Sequence, residues 1–289
     1  MDRKDITESA VGFVRNSEYN YISEKDSISE NAAGMKIYDD PIFAFGSSGD
    51  AYFARLKNPG AIGEHFILPS QWLPEAKTVI SFFLPFSQDV KKGNRKDLLW
   101  PSDEWLHGRY EGQAMLGKLC LHLKSELENA GYRSIVPSME EKFWCSDGFL
   151  SKSAHGASSF TSNWSERHVA FVCGLGTFSL SKGLITSKGV CGRFGSIVTE
   201  LSLPPDRRAY TELYENCILC GKCAKNCPAA AISLETGKDH AICSRFLNET
   251  LQKHSPRYGC GKCQVAVPCE SAIPGKHAGH SEETAEIIE

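Results

Sequence analysis

Two long patterns of hydrophobic and polar positions stand out along the chain. Over residues 102–130 the apolar side chains recur mostly at steps of three or four, which predicts an amphipathic helix. Ser102 is a candidate N-cap, and Gly131 fits the C-terminal stop. A continuous β-branched and aromatic run over residues 78–84, bounded by prolines, predicts a buried strand. Both helix and strand are therefore expected in the first half of the chain.

Shorter patterns fill the rest of the first two hundred residues. Residues 5–15 predict an opening helix, and Ser165 is a candidate N-cap for a helix that runs to Gly174. Three further segments have strand character: residues 133–136, 183–186 and 196–201. The mixture predicts an α+β or three-layer α/β domain.

A boundary is expected near residue 205. Two prolines and a charge cluster at residues 203–208 discourage regular structure there. We therefore expect an α/β domain for a cofactor or substrate over residues 1–205 and a small cysteine-rich domain over residues 206–276. Residues 277–289 are polar and acidic and predict a tail.

Composition excludes several classes of protein. Hydrophobic residues make up 41% of the 289 and charged residues 23%, which is ordinary for a globular chain and unlike a disordered or coiled-coil one. A net charge of −3 gives no general affinity for nucleic acid or anionic membranes. No apolar run reaches the roughly 18 residues of a membrane helix, and the start lacks the apolar core of a secretory signal. The chain is predicted to be cytoplasmic, with no membrane partner.

Cysteine is the one unusual residue type. The chain has twelve, and in a cytosolic protein of this size that number indicates metal or redox chemistry rather than disulfides. The strongest motif has the spacing C-x2-C-x2-C-x3-C-P, and it is formed by Cys217, Cys220, Cys223, Cys227 and Pro228. That spacing is typical of bacterial ferredoxins, in which the fourth cysteine binds the other of two clusters. Structural zinc is the alternative, but zinc sites usually combine two C-x2-C pairs or add histidines.

A second set of cysteines follows, as this arrangement requires. Cys243 is expected to open a helix, and a C-G-K-C turn and a final cysteine come after it. The first [4Fe–4S] cluster is then predicted to bind Cys217, Cys220, Cys223 and Cys269. The second is predicted to bind Cys227, Cys243, Cys260 and Cys263. Eight thiolates account for two clusters with none left over.

The other four cysteines are scattered through the first domain. Cys120 and Cys173 lie on the apolar sides of predicted helices, where free cysteine is commonly buried and inert. Cys145 and Cys191 lie among glycine and serine, and we expect them to be accessible. None of the four is favoured as a catalytic nucleophile over a structural residue.

Several short motifs, taken in order, resemble the epoxyqueuosine reductase family, whose distant relatives are the reductive dehalogenases. The match extends from about residue 75 to residue 275, and its motifs are Ser165-Glu166-Arg167-His168, Gly174-Leu175-Gly176-Thr177-Phe178, Gly183-Leu184-Ile185-Thr186 and the two cysteine sets. The resemblance implies a nitroreductase-like α/β domain that holds a corrinoid. It also implies a C-terminal double-cluster domain that feeds this site with electrons.

The chain departs from the tRNA-modifying members of that family at two places. Those enzymes carry an aspartate a few residues before the Glu-Arg pair, whereas the matching position here is near Phe160 and has none. They also have three residues between their last two cysteines, whereas five separate Cys263 from Cys269. These differences indicate a related branch and leave the substrate open, with tRNA as one candidate.

Candidate catalytic residues are few, and each has a structural alternative. His168 titrates near neutral pH and could donate a proton, or it could be a satisfied, partly buried histidine. Glu166 could act with it, or could simply follow Ser165 in a capped first helical turn. Asp147 is a further candidate, and the weakest are Tyr110 and His155.

Gly174, Gly176 and Thr177 are the candidate cofactor-binding residues. Glycine lets the backbone approach a flat macrocycle, although the same glycines also suit a turn that ends a helix. No third glycine completes a dinucleotide-binding fingerprint, and no Asp-x-His-x-x-Gly motif offers an axial histidine. A corrinoid would therefore be held base-off by the shape of its site, and a flavin is the second choice of cofactor.

These observations predict an iron–sulfur oxidoreductase. Two clusters would pass electrons from an external ferredoxin or flavodoxin to a corrinoid or another site in the first domain. The alternative is an electron-transfer partner or reductive activator without substrate chemistry of its own, in which case the first domain would dock a protein.

Overall fold

The computed structural model describes residues 1–146 and 160–275. Within them the helices are α1 (Arg3–Asn16), α2 (Ala51–Arg55), α3 (Pro69–Trp72), α4 (Gln88–Arg95), α5 (Asp103–Asn129), α6 (Glu166–Cys173), α7 (Lys222–Lys225) and α8 (His240–His254). The strands are β1 (Ile42–Ser47), β2 (Thr78–Pro85), β3 (Ser134–Ile135), β4 (Cys145–Ser146), β5 (Thr161–Ser162), β6 (Gly176–Phe178), β7 (Leu184–Thr186), β8 (Gly192–Thr199), β9 (Ile232–Ser233) and β10 (Gly237–Lys238). Single 3₁₀ turns lie at Glu18–Asn20, Glu30–Ala32 and Pro137–Met139.

The centre of the first two hundred residues is an antiparallel sheet with the strand order β1-β2-β8-β3. Every residue of β2 is buried, because it has a strand on each side and side chains packed on both faces. The predicted strand over residues 78–84 is thus confirmed. β8 is longer than the predicted segment 196–201: it begins at Gly192, opposite Pro85 of β2.

Alternate residues of β2 enter two separate hydrophobic cores. Ile80, Phe82 and Leu84 pack with apolar residues of α1 and α5 on one face. Val79 and Phe83 pack on the other face with α6 and with Trp164. Because side chains alternate across a strand, one strand buried on both faces serves both cores. The predicted mixture of helix and strand is confirmed as a mixed α/β architecture with helices on both faces of the sheet.

The longest helix has the predicted limits. Ser102 Oγ accepts the Trp105 N–H at 3.2 Å and caps the N-terminus of α5. Gly131, with φ +91°, stops the helix at its other end. The short opening helix and the predicted strands near residues 133–136 and 183–186 are also present, as α1, β3 and β7.

Three expectations were wrong. Ser165 precedes α6 but does not cap it with its side chain, because its hydroxyl bonds His168 Nδ1 at 2.7 Å instead. α8 begins at His240 rather than at Cys243, because Asp239 accepts the Ile242 N–H at 3.0 Å and so starts the helix earlier. Cys191 is only 1% exposed, since it lies in the core beside β8.

Candidate functional site

The first predicted cysteine set lines one small cavity. Cys217, Cys220, Cys223 and Cys269 all border it, together with the apolar side chains of Leu180, Ile185 and Val267. Cys220 is exposed, whereas Cys223 is only 9% exposed. Four thiols from two distant parts of the chain therefore surround a common, largely apolar space.

Hydrogen bonds to the edge before β8 bring Cys269 to this cavity. Val190 N–H donates to the Cys269 carbonyl at 2.9 Å, and Cys191 N–H donates to the Glu270 carbonyl at 3.2 Å. On the other side, Thr177 Oγ1 accepts the Asn216 N–H at 2.8 Å and so fixes the backbone directly before Cys217. The α/β core thus positions both ends of the first set.

The thiols of the second predicted set lie near enough to affect one another's ionisation. Burial raises the pKa of Cys263, and the charges of Cys243 and Cys227 raise it further. Burial and the charges of Cys263 and Cys243 likewise raise the pKa of Cys260. Cys227 Sγ accepts the Ala231 N–H at 3.3 Å, the kind of backbone bond that stabilises a thiolate in a metal site. Each of the four sulfurs of this set therefore lies near at least one other member.

The arrangement fits iron–sulfur clusters better than single metal ions. Among residues 1–146 and 160–275, no group of three or more His, Cys, Asp or Glu side chains is arranged to hold a metal ion. A cubane instead binds each thiolate through a different iron, so its ligands stand around a volume, as the first set does.

A buried lysine and an asparagine anchor the C-G-K-C turn to α4. Lys262 Nζ donates to the backbone carbonyl of Asn94 at 2.8 Å and to its Oδ1 at 2.9 Å. Asn94 Nδ2 in turn donates to the Cys260 carbonyl at 2.9 Å. Both residues are almost fully buried, so these bonds are shielded from water and hold Cys260 in place.

Two more contacts tie the last cysteine segment to the first domain. Arg95 of α4 forms an ion pair with Glu270, which is only 6% exposed. Gly261, with φ +67°, lies against the indole of Trp105, and an added Cβ would fall 1.9 Å from that ring. The turn between Cys260 and Cys263 therefore packs closely against α4 and the start of α5.

Positive charges lie beside the second set. Arg167, in the first turn of α6, has its pKa lowered by burial and raised in part by the charges of Cys263 and Cys243. Lys238 of β10 also has its pKa raised by those two thiols, against the effect of burial. Both cations would stabilise a cluster whose four thiolates make it negative.

Glu166, a predicted catalytic residue, has a carboxyl group deep in the fold. Burial raises its pKa to about 7, while Ser196, Ser138 and Trp164 lie near enough to limit the rise. None of the described residues makes a well-aligned hydrogen bond to either carboxyl oxygen. Glu166 can therefore hold or release a proton near neutral pH.

His168 is less suited to give a proton at that pH. Burial and the charge of Arg167 lower its pKa to about 4, so its ring is neutral at pH 7. The ring bonds Ser165 Oγ and packs at 4.9 Å from the Phe178 ring centroid. Its surroundings match those of a satisfied core histidine.

The predicted cofactor-binding residues lie at the C-terminal end of α6 and in the strand that follows it. Gly174 ends that helix with φ +109°, and Gly176 packs so closely on the Ile185 backbone that a Cβ would not fit. Both line a groove of about 790 Å³ together with Phe43, Phe45 and Tyr210. Thr177 is fully buried and bonds Asn216. The cofactor role of this group stays a prediction.

Two weaker candidates, Asp147 and His155, lie outside the described residues. Tyr110 is 45% exposed, with the Arg257 guanidinium 5.6 Å from its ring centroid. Sequence reasoning did not single out Asn94, Arg109, Arg193 or Lys238, because none belongs to a recognisable motif. Lys262 could have been noticed, since it lies inside the C-G-K-C turn.

Comparison with known proteins defines the class. A model of the 4Fe-4S binding domain matches residues 211–233. Tetrachloroethene reductive dehalogenase of Desulfitobacterium hafniense is 43% identical over 112 residues, 36% of this chain and 20% of that protein. The enzyme of Dehalobacter restrictus gives the same identity and coverage. The chain thus spans about one fifth of the length of these relatives, and it is an iron–sulfur protein similar to them.

Solved structures point the same way. A catabolic reductive dehalogenase in complex with 3-bromo-4-hydroxybenzoic acid has a TM-score of 0.53 at 14% identity, covering 81% of this chain and 30% of that one. An epoxyqueuosine reductase with a tRNA stem loop has a TM-score of 0.49 at 18% identity, covering 92% and 66%. The resemblance to the reductive dehalogenases that the motifs indicated is confirmed. Among the described residues, no helix has the length and apolar character needed to cross a membrane.

Proposed function

We propose that the chain is a reductase with two [4Fe–4S] clusters and a reducing site in its α/β part. Cys217, Cys220, Cys223 and Cys269 would hold the first cluster. The second would be held by Cys227, Cys243, Cys260 and Cys263. Electrons would come from an external donor of the ferredoxin or flavodoxin type. The observation that carries the proposal is the cavity bordered by all four cysteines of the first set.

The chain's own residues have definite roles in this scheme. When bound, the clusters supply one-electron transfer. Arg167 and Lys238 offset negative charge at the second set. Asn94 and Lys262 hold its turn rigid. Glu166 is the buried group that can exchange a proton at neutral pH.

The finer features of the α/β part also belong to the proposal. Helices on both faces of the sheet support a three-layer, nitroreductase-like domain over residues 1–205. A corrinoid, or less favourably a flavin, would occupy this domain. The groove at Gly174 and Gly176 is one place that a flat cofactor could reach, and no histidine is among the described residues that line it. The substrate, tRNA included, is not specified by this groove.

Metal and cofactor analysis tests the proposal directly. The chain is purified without oxygen, and its iron, sulfide, zinc and cobalt contents are measured before and after incubation with cobalamin. About eight iron and eight sulfide per chain are expected. Zinc without sulfide would overturn the cluster assignment.

The second candidate function is an electron carrier or reductive activator without substrate chemistry. Exposed apolar residues around the first set favour a protein-docking surface there: Ile218 is 55% exposed and Leu219 56%. Corrinoid content separates the two functions. About one tightly held corrinoid per chain supports the reductase, whereas loaded clusters without any organic cofactor support the carrier.

A further inference from the structure

Two arginines outside every predicted motif meet on one side of α5. Arg109 lies on this helix, and Gln113 lies four residues later on the same face, with Cβ atoms about 5–6 Å apart in such pairs. Arg193, in the second position of β8, donates a hydrogen bond to Gln113 Oε1. The two guanidinium groups are therefore neighbours, although 84 residues separate them in the sequence.

The pair lies next to the second cysteine set. Arg109 Nη2 donates to the Tyr258 hydroxyl at 2.9 Å, and its guanidinium lies 4.6 Å from the centroid of that ring. Tyr258 precedes Cys260 by two residues. The pair is thus placed between the α/β sheet and the segment predicted to hold the second cluster.

Neither arginine has a carboxylate to balance its charge among residues 1–146 and 160–275. Six other arginines do form such ion pairs there: Arg3, Arg15, Arg95, Arg133, Arg208 and Arg257. Burial and the charges of Arg109 and Arg167 lower the pKa of Arg193 to about 10. The lowering by the two arginines reflects repulsion between their positive charges and that of Arg193. Cys243 and Cys263 raise the pKa of Arg167, whereas no thiol is among the described groups that shift the pKa of Arg193.

Clustered, partly buried and unbalanced guanidinium groups cost free energy unless an anion joins them. We propose that Arg109 and Arg193 together bind one oxyanion group, a carboxylate or a phosphate, of a molecule held beside the second cluster. Guanidinium groups favour these anions because their planar N–H donors match two oxygens at once. The proposal deepens the proposed function, on which it rests, by naming the chemical class of what is bound.

An oxyanion group could come from two sources. It could belong to a small acidic substrate, or it could be the phosphate in the nucleotide tail of a complete corrinoid. Binding is therefore measured by calorimetry on the iron-loaded full chain without oxygen, using inorganic phosphate and benzoate, with benzamide as the uncharged counterpart of benzoate. Cobalamin and cobinamide, which lacks the nucleotide phosphate, form the second arm.

The variants are Arg193→Gln, Arg109→Gln and Arg193→Lys, with Arg207→Gln as the matched loss of one exposed positive charge. We expect benzoate or phosphate to bind, benzamide not to bind, and either glutamine variant to weaken the anion roughly tenfold to a hundredfold. Arg193→Lys should retain part of the affinity, and Arg207→Gln all of it. Loss of affinity for cobalamin alone, with cobinamide unchanged, supports the proposal and assigns the anion to the corrinoid.

The inference is overturned if both glutamine variants load iron normally and bind every probe as the unaltered chain does. It is also overturned if benzamide binds as well as benzoate and the arginine variants change neither. Iron content is read separately in each sample. A chain without iron that still binds benzoate through Arg193 would therefore contradict the proposed function and leave the anion site standing.

Discussion

The ammonium group of Lys262 and the side chain of Asn94 form a buried bridge between the cysteine-rich segment and α4. Lys262 Nζ lies 2.8 Å from the Asn94 carbonyl oxygen and 2.9 Å from Oδ1. Asn94 Nδ2 also donates a hydrogen bond to the backbone carbonyl of Cys260. A lysine that is 2% exposed is stabilised only by such partners, so each residue depends on the other.

Replacing this lysine should loosen the second cysteine set. Lys262→Met removes both hydrogen bonds and leaves Asn94 Oδ1 with only the Ser102 N–H, which we expect to cost about 1–3 kcal/mol in the free energy of unfolding. Urea denaturation of the iron-loaded chain measures the change. Lys225→Met is the control, because Lys225 is an exposed lysine beside the first set. Equal stability of the two variants would contradict a bridging role for Lys262.

Gly261 should not tolerate a side chain. In Gly261→Ala the new Cβ would fall 1.9 Å from the Trp105 ring, and the φ of +67° is unfavourable for alanine. We expect the turn to shift and the chain to keep only about four of its eight iron atoms. Iron and sulfide analysis checks this.

Gly60→Ala is the matched control, since nothing lies within 4 Å of its Cβ position and its φ is not positive. It should load iron fully. Full loading of Gly261→Ala would show that the packing of this turn on Trp105 does not decide cluster assembly.

Replacing Cys269 and Cys191 in turn distinguishes a predicted cluster ligand from a core cysteine. Cys269→Ala should lose about half of the iron, because Cys269 borders the first cavity. Cys191 is a neighbour of this segment, because its backbone N–H bonds the Glu270 carbonyl. Its thiol, however, is buried in the apolar core. Cys191→Ala should therefore retain all of the iron. The opposite result would mean that the first set is wrongly assigned.

Glu166 should make stability depend on pH in an unusual direction. Its pKa of about 7 in the folded chain exceeds the ordinary value of 4.5, so the folded state holds a proton that the unfolded state has released. The free energy of unfolding should fall as pH rises from about 4.5 to 7 and then level off, by up to about 3 kcal/mol.

Glu166→Gln cannot release a proton and should lack this fall. The measurement is the difference between the variant and the unaltered chain in urea denaturation at several pH values. We expect that difference to grow in favour of the variant between pH 5 and 7. Glu141→Gln, at an exposed glutamate, should show no such trend. A difference that stays constant with pH would mean that Glu166 is ionised throughout this range.

Local sequence patterns were sufficient to predict the helices and strands whose formation depends on residues close to each other in the chain. The 102–130 helix carries its own cap and stop, and β2 is a mostly apolar strand that is buried on both faces. The ferredoxin spacing also indicates its chemistry locally, since three cysteines separated by two residues each are typical of cluster-binding segments. Ser165 shows the limit, because a neighbouring histidine competed for the hydroxyl expected to cap the helix.

Partnerships across long stretches of chain were decided only by the tertiary structure. Nothing in the sequence around Asn94 indicates that it holds Cys260, and nothing around Arg109 indicates that it meets Arg193. Such contacts depend on how α4, α5 and β8 pack, and packing is a property of the whole core rather than of a short window of residues. The cysteine spacing predicts the clusters, whereas only the packing of the fold brings Arg109 and Arg193 beside the segment of the second predicted set.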